Sequence, residues 1–287
     1  MSDAAILTCA MNGVLTDPDR FPLPVTGAEM AAAAREAWDA GATVVHCHFR
    51  MQEPGRGRFP TWEPSVVRGL VDAIRAEVPD ILINMSTGVM DDDTSGPEAC
   101  LEAVRPEIAA LNCGSLNYLK TRRDGTWAWP PMLFGNPVSK IERMARAMKA
   151  VGAVAECECF DTGIVRSIAM MRSTGIIADP VHASLVMGVA SGMPAKPEWL
   201  PLLRAELQDD VHWQVIAIGR QEVWDLHRAC AEQGGHVRTG LEDTFYLPDG
   251  SRATSNGPLI EAAAQVIRDA GRTVATIAQT RALFGLA

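Results

Sequence analysis

Short apolar runs alternate with longer helical patterns along the whole chain, and this alternation limits the possible folds more than any other feature. It is typical of βα units that surround a parallel sheet. Eight runs are predicted as strands: residues 5–11, 43–49, 81–86, 107–113, 154–160, 183–189, 213–219 and 236–241. Eight such units close into a barrel, whereas an open doubly wound sheet needs a reversal of strand order that the sequence does not indicate. We therefore expect an α/β protein with the (β/α)8 TIM-barrel fold.

Helical patterns fill the segments between the predicted strands. The clearest span residues 26–40, 64–77, 139–151, 221–233 and 256–270. Two of them begin with the spacing of a capping box, in which Thr26 precedes Glu29 and Ser139 precedes Glu142. No linker interrupts the series, so residues 1–287 are expected to form a single domain.

Two irregular stretches follow predicted strands. Residues 16–24 come after the first strand, and residues 117–137 come after the fourth. Loops at the ends of barrel strands commonly carry function. The second stretch contains Trp127 and Trp129, which makes it a candidate lid or subunit interface.

Composition excludes two classes of partner. The chain has 26 Lys+Arg against 35 Asp+Glu, a net charge of −9, which argues against nucleic acid because phosphate contacts need a basic face. No segment reaches the roughly 18 consecutive apolar residues of a membrane helix. Seven cysteines and a start without a secretion signal predict a reduced, cytoplasmic protein.

The sharpest local signal is the pair His46 and His48 at the end of the second predicted strand. Residues two apart on a strand point to the same face and can share a metal ion. The alternative is one histidine in the core and one at the rim. The position at the carboxyl end of a barrel strand favours metal binding, because active sites of such barrels lie there.

The second signal is the last predicted strand and the loop that follows it. Arg238, Gly240 and Glu242 share one parity, so Arg238 and Glu242 should both point into the barrel mouth. A buried arginine there favours an anionic ligand. The alternative is an ion pair between Arg238 and Glu242 that needs no ligand.

Two histidines and a carboxylate leave coordination positions open, which is typical of catalytic zinc, although the same set can hold iron(II) or another divalent metal. Cysteines are poorer candidates. Cys157 and Cys159 have the parity opposite to Glu156 and Glu158, so if the acids face the barrel mouth the thiols face the helices. We therefore interpret these thiols as packing residues.

Small polar residues and glycines close the third and fourth predicted strands. Ser86 and Gly88 follow the third strand, and Asn112 and Gly114 follow the fourth. Both segments could be plain turns. Because they end successive strands beside the histidines, they are also candidate substrate contacts whose backbone N–H groups could face an anion.

A weaker signal depends on position alone. Gly219 and Arg220 follow the seventh predicted strand, and residues 255–257 precede the last long helix. Barrels commonly bind phosphate in this region.

Taken together, the sequence resembles the beta-keto acid cleavage enzymes, the family that includes 3-keto-5-aminohexanoate cleavage enzyme. The matching stretches run in order over nearly the whole chain: residues 23–50, INMSTG at 83–88, NCGSLN at 112–117, ECECFDTG at 156–163, IGRQE at 218–222, GGHVRTGLED at 234–243 and SNGPLIEAAA at 255–264. The resemblance implies a zinc-dependent (β/α)8 barrel, tetrameric and metal-binding. It also implies an acyltransferase that converts a beta-keto acid and acetyl-CoA into acetoacetate and a new acyl-CoA.

The resemblance also implies roles for individual residues. His46, His48 and Glu242 would be the zinc ligands. Asp243 and Arg238 would be the acid/base pair, with Arg238 holding the substrate carboxylate through two parallel hydrogen bonds. Two further residues complete the implied catalytic set: Ser86 as a substrate contact and Glu156, or its neighbour Glu158, as support for the arginine.

One segment departs from the family member that takes the amino-substituted substrate. Such members carry an acidic residue soon after the first strand, where this chain has Asn12 and Val14. Both are candidate substrate contacts, but Val14 cannot pair with an ammonium group. We therefore expect a beta-keto acid with an uncharged side chain.

Two other functions fit parts of the pattern. A mononuclear metal-dependent hydrolase on the same barrel could also use a pair of histidines two residues apart. However, two-metal hydrolases place that pair on the first strand and add further histidines. A non-catalytic barrel that senses an acyl-CoA or a keto acid would bind metal without turnover.

Overall fold

The computed structural model describes residues 3–286, which form a closed barrel of eight parallel strands. The strands are β1 (Leu7–Ala10), β2 (Val44–Cys47), β3 (Leu82–Met85), β4 (Ile108–Asn112), β5 (Val154–Cys159), β6 (His182–Met187), β7 (His212–Ala217) and β8 (His236–Thr239). Each strand pairs with its neighbours in chain order, and β8 closes on β1. The structure confirms the predicted (β/α)8 fold, and all eight carboxyl ends meet at one rim.

Helices surround the barrel. They are α1 (Gly27–Asp39), α2 (Pro64–Glu77), α3 (Ser95–Val104), α4 (Val138–Val151), α5 (Thr162–Ser173), α6 (Leu200–Ala205), α7 (Val223–Glu232), α8 (Asn256–Asp269) and α9 (Ile277–Leu283). A short 3₁₀ helix spans Pro197–Trp199. No helix between residues 3 and 286 has the length and apolar character required to cross a membrane.

One of the two predicted capping boxes is present. Thr26 accepts a hydrogen bond from the backbone of Glu29, whose side chain accepts from the Thr26 backbone. The prediction for Ser139 was wrong, because α4 begins one residue earlier, after Pro137. Proline has φ fixed near the value required at this junction, and no side chain caps the helix.

The stretch predicted as irregular between β4 and α4 contains regular structure. Leu116–Tyr118 pairs antiparallel with Met132–Phe134 to form a hairpin that stands on the catalytic rim. We call residues 116–134 the rim hairpin. Its strands are only three residues long, which is why no clear alternating pattern marks them in the sequence.

The amino ends of the strands, opposite the rim, enclose apolar residues and stacked histidines. At the amino ends of the strands, Ile6 and apolar residues of β2, β3 and β4 form a cluster with Phe284, and His182, His212 and His236 stack in series. Phe284 covers this end and stacks on His182 with ring centroids 4.0 Å apart. These histidines begin their strands and therefore lie at the end opposite the rim.

A glycine allows the last strand to meet the first. Gly240 has φ of +151°, and a Cβ at this position would lie 2.1 Å from the carbonyl oxygen of Ala10. Only glycine permits this close approach of two backbones. It brings the loop after β8, which carries Glu242, against β1 and beside β2.

Candidate metal centre and active site

Three candidate metal ligands converge at the rim. His46 is the penultimate residue of β2, and His48 follows the strand's last residue, Cys47, so both rings face the barrel mouth. Their Nε2 atoms lie 3.7 Å and 3.2 Å from the two carboxylate oxygens of Glu242. The candidate donor atoms of the three side chains all lie within 4.8 Å of one another, although they come from distant parts of the sequence.

The donor set fits a divalent metal. The Oε2 atom of Glu242 is buried and receives no hydrogen bond from any described residue, so this oxygen needs a cation to offset its burial. Burial and the charge of Arg238 lower the pKa of His46, which keeps its ring neutral and able to bind a metal. Although burial alone would raise the pKa of Glu242, His48, Arg238 and His46 hold it well below its ordinary value. Two histidines and one carboxylate suit zinc or iron(II).

Asn12 holds His48 in place. The Asn12 side chain accepts a hydrogen bond from the His48 backbone N–H at 3.1 Å and donates to the His48 carbonyl oxygen at 3.0 Å and to that of Pro24 at 2.9 Å. Asn12 is only 1% exposed and is absent from the cavity wall. The expected substrate contact is therefore a buried support for a metal ligand.

A second support lies beneath His46. Asn84 is its partner in the β2–β3 register, and the Asn84 amide donates to Glu156 Oε2 at 2.7 Å. His46 Nδ1 and Asn84 Oδ1 are both buried without a hydrogen bond that meets strict geometry. Since a metal-bound histidine usually donates its other N–H to a carbonyl or carboxylate, Asn84 is well placed to accept it.

Of the two acids left open as support for the arginine, Glu158 is the one that contacts Arg238. Glu158 Oε1 lies 3.3 Å from Arg238 Nη1, whereas Glu156 lies one layer deeper against Asn84. Both acids point into the barrel because they share parity. The two cysteines between and after them are buried among apolar residues on the helix side, as predicted.

Arg238 binds three carboxylates at once. Its Nε and Nη2 atoms donate to Asp243 at 3.1 Å each, Nη2 also donates to Glu242 Oε1 at 2.8 Å, and Nη1 donates to Glu158. The ion pair between Arg238 and Glu242 is therefore present alongside two others. One guanidinium N–H is left, so the expected two-pronged grip on a substrate carboxylate would require one acid to move.

The acids around Arg238 differ in their access to substrate. Glu158 lies on the cavity wall, and burial together with nearby carboxylates raises its pKa to about 8 against the pull of Arg238. Asp243 is 4% exposed and lies behind the guanidinium, away from the wall. Burial, opposed by Arg238 and assisted by Glu242, raises the pKa of Asp243 to about 7.

A cavity of about 550 Å³ opens in front of the candidate metal ligands. Four of the predicted substrate contacts lie on its wall: Val14, Ser86, Gly88 and Asn112. Gly114 does not, and a Cβ there would lie 2.5 Å from Ile164, so this glycine is required for packing against α5.

Most of the cavity wall is apolar. Large side chains on it include Phe49, Trp62, Phe134, Phe160 and Ile216. The rim hairpin contributes three of the lining residues, Tyr118, Met132 and Phe134, which sequence reasoning missed. Asp91 and Asp93 also reach the cavity, but they are exposed at its outer edge.

Among residues 3–286, His46, His48 and Glu242 are the one group with the geometry of a metal site. The other histidines begin strands or, like His227, lie within a helix. Nothing in the described chain supplies the additional ligands of a two-metal hydrolase. The site therefore has the ligands for a single metal ion.

Comparison with known sequences agrees with the resemblance noted in the sequence. The model of the beta-keto acid cleavage enzyme family matches residues 4–286. The chain is 33% identical over 291 residues to the 3-oxoadipate:acetyl-CoA acetyltransferase of Cupriavidus necator, covering 100% of this chain and 96% of the relative. It is 32% identical over 282 residues to the 3-keto-5-aminohexanoate cleavage enzyme of Acetoanaerobium sticklandii, covering 98% of each.

Solved structures support the fold. The apo form of ObcA superimposes with a TM-score of 0.73 at 19% identity, covering 92% of this chain. The chain spans 65% of the length of ObcA. At this level of identity the likeness concerns the barrel alone.

Proposed function

The chain belongs to the beta-keto acid cleavage enzyme family, and we propose that it transfers CoA from acetyl-CoA to the acyl part of a beta-keto acid. Like other members it is an enzyme, and its similar relatives include an acetyl-CoA acetyltransferase. The products would be acetoacetate and a new acyl-CoA. The observation that carries the proposal is the convergence of His46, His48 and Glu242 beside Arg238 on the wall of a mainly apolar cavity.

We propose zinc as the metal held by His46, His48 and Glu242, with iron(II) or another divalent ion as the alternative. When bound, zinc supplies a Lewis acid that stabilises negative charge developing on the keto oxygen of the substrate. Asn12 and Asn84 orient the two histidines. Arg238 neutralises the remaining charge of Glu242 and fixes its orientation.

The proposed reaction needs a base for the C2 proton of the keto acid, a contact for the substrate carboxylate, and the CoA thiolate as acceptor of the new acyl group. Removal of a proton from C2 of the keto acid gives a carbanion that attacks the acetyl thioester and expels CoA. The CoA thiolate then attacks the original keto carbon, and cleavage of the carbon–carbon bond releases acetoacetate. No covalent bond to the protein is required, in keeping with cysteines that are all buried in the described chain.

Proton transfer is assigned to the carboxyl groups around Arg238. Asp243 and Arg238 remain the proposed acid/base pair, and Glu158 is the member of this group that reaches the cavity. Asp243, alone or through a water, would accept the proton, and its two hydrogen bonds fix the position of the Arg238 guanidinium. The free N–H of Arg238 and the Ser86 hydroxyl are the proposed contacts for the substrate carboxylate.

We propose that the substrate carries an uncharged side chain. Val14 lies on the cavity wall, and the wall around it is mainly apolar. A charged side chain buried there would lack a partner. The cytoplasmic location and the homotetramer stay predictions, drawn from composition and from the family resemblance respectively.

The test is a reaction of the metal-loaded protein with acetyl-CoA and a panel of 3-keto acids, scored by mass for acetoacetate and acyl-CoA. We expect products that require both substrates and that are lost on chelation and in Glu242→Ala. Glu261→Ala, an exposed acid within α8, is the control. Hydrolysis without acetyl-CoA would instead indicate a metal-dependent hydrolase, and bound metal without any turnover would indicate a sensor.

A further inference from the structure

Two arginines share one tyrosine ring on the catalytic rim. The guanidinium carbons of Arg220 and Arg252 lie 5.4 Å and 5.8 Å from the ring centroid of Tyr246. Arg252 also lies 5.6 Å from the ring centroid of Phe21. We call Arg220, Arg252, Tyr246 and Phe21 the arginine cluster. It joins the loops that follow β1, β7 and β8.

Neither guanidinium of the arginine cluster has an acidic partner. Within residues 3–286, no carboxylate lies within 4.0 Å of either group, and neither donates a side-chain hydrogen bond. By contrast, six other arginines pair with acids: Arg35, Arg75, Arg146, Arg172, Arg228 and Arg238. In a chain with a net charge of −9, two neighbouring cations without carboxylates form a local site for an anion.

The loops that carry the arginine cluster are fixed to each other. Gln221 Nε2 donates to the carbonyl oxygen of Pro248 at 2.7 Å, and Trp224 Nε1 donates to that of Tyr246 at 2.9 Å. Tyr246 and Arg252 also form an antiparallel bridge. The two guanidinium groups are therefore presented by ordered backbone, which reduces the entropic cost of binding a ligand.

The arginine cluster lies close to the cavity. Ile218 is on the cavity wall two residues before Arg220, so their Cα atoms are at most about 7 Å apart. Glu242, a candidate metal ligand, is four residues before Tyr246. The loops after the seventh and eighth strands are also the region in which barrels of this type commonly bind phosphate.

We propose that the arginine cluster binds the phosphate groups of the nucleotide part of acetyl-CoA, an inference that rests on the proposed function. Guanidinium groups match phosphate oxygens through parallel hydrogen bonds, and they keep their edges free when they stack on aromatic rings. Phe21 and Tyr246 are half-buried, and their rings offer aromatic surface beside the two guanidinium groups for the adenine base. The pantetheine arm would then extend over Ile218 toward the metal ligands.

A second pair of arginines provides a matched control. Arg56 and Arg58 lie 5.8 Å and 4.8 Å from the ring centroid of Phe59, also on the catalytic rim. This pair belongs to one exposed loop, in which the backbone of Arg56 bonds to that of Glu53. It therefore has the same residue chemistry without the connection between loops.

The experiment compares acetyl-CoA with acetyl-pantetheine, which lacks the nucleotide and its phosphates. In the double variant Arg220→Ala/Arg252→Ala, we expect the ratio of kcat/KM for acetyl-CoA to that for acetyl-pantetheine to fall about tenfold or more. In Arg56→Ala/Arg58→Ala the ratio should stay at the wild-type value. Equal losses for both thioesters, or an equal fall in the control variant, would overturn the proposal.

Direct binding separates this inference from the proposed function. We expect adenosine 3′,5′-bisphosphate to bind the wild-type protein in calorimetry, more weakly at high salt, and to lose affinity in the Arg220→Ala/Arg252→Ala variant. Binding of this kind without any turnover would support the arginine cluster and contradict the proposed reaction. Turnover together with unchanged nucleotide binding in the variant would support the proposed reaction and contradict the arginine cluster.

Discussion

Arg238 and Asp243 meet through two hydrogen bonds of 3.1 Å, and this pair lies directly behind the candidate metal ligand Glu242. Arg238 is 2% exposed, so its charge is compensated almost wholly by carboxylates. In this network of one guanidinium and three acids, Arg238 contacts both the proposed proton-transfer groups and a candidate metal ligand.

Replacement of this arginine should be costly even when charge is kept. Lysine cannot reach three carboxylates in one plane, so Arg238→Lys would leave buried acids uncompensated. We expect a loss of about 3 kcal/mol in the free energy of unfolding and a fall of at least about 100-fold in kcat/KM. Urea denaturation and steady-state kinetics would measure both. Arg268→Lys on the exposed face of α8 is the control, and equal effects of the two changes would contradict the role of the network.

The pH dependence of kcat/KM should show whether Glu158 is the group that titrates. The pKa of Glu158 is raised to about 8, so a base at this position is largely protonated below pH 8. We therefore expect kcat/KM to rise with pH toward a plateau above about pH 8. Glu158→Gln should lower the plateau and remove this rise, whereas Glu156→Gln should retain it. A rise that survives in Glu158→Gln would assign the titration to another group.

Asn84 should affect the metal more than the fold. Asn84→Ala removes the side-chain amide beneath His46. We expect it to weaken zinc binding about 10- to 100-fold, because hydrogen-bond partners of metal-bound histidines set the orientation of the ring. Competition with a chromogenic chelator would measure this affinity. Gln214→Ala, which removes another buried amide of the barrel interior that bonds to Ser184, is the matched control. Similar zinc affinities of the two variants would show that Asn84 does not support the ligand.

Val14 should determine the charge of the preferred substrate. Val14→Glu places a carboxylate on the cavity wall, and we expect it to raise the ratio of kcat/KM for 3-keto-5-aminohexanoate to that for an unsubstituted 3-keto acid about tenfold or more. Val14→Thr, of similar size and without charge, should leave the ratio near its original value. A wild-type enzyme that already prefers the amino substrate would refute the proposed substrate class.

His227 should make the protein sensitive to acid. Its ring is buried, neither nitrogen has a hydrogen-bond partner in the described chain, and burial lowers its pKa to about 4. Between pH 7 and pH 5 the unfolded chain binds a proton at this residue and the folded chain does not. Stability should therefore fall with decreasing pH by about 2 kcal/mol from this residue. His227→Leu should flatten the dependence, measured by urea denaturation at several pH values; an unchanged slope would contradict this account.

The barrel and the convergence of the candidate metal ligands were predictable because both depend on parity and strand count. The alternation of apolar runs gave eight strands, and the two-residue spacing of His46 and His48 placed both rings on one face. Parity gives the face of a residue but not its height in the barrel. Glu156 and Glu158 share a face, and the register of the strands from β5 to β8 decides which one reaches Arg238.

Other features depend on contacts between distant segments. Asn12 supports His48 across 36 residues, and Gly114 makes room for Ile164 of a helix 50 residues later. No local pattern records such pairs. The rim hairpin escaped prediction for a different reason, since strands of three residues on an exposed rim carry too few apolar positions to show a period.

Because of the position of the rim hairpin, the pocket wall can change during evolution independently of the candidate metal ligands. The candidate metal ligands come from β2 and the loop after β8, whereas the hairpin follows β4 on the other side of the barrel mouth. Insertions or exchanges in residues 116–134 can therefore remodel the pocket wall without displacing His46, His48 or Glu242. A lineage can explore new acyl chains in this way while the carbon–carbon bond chemistry is inherited unchanged.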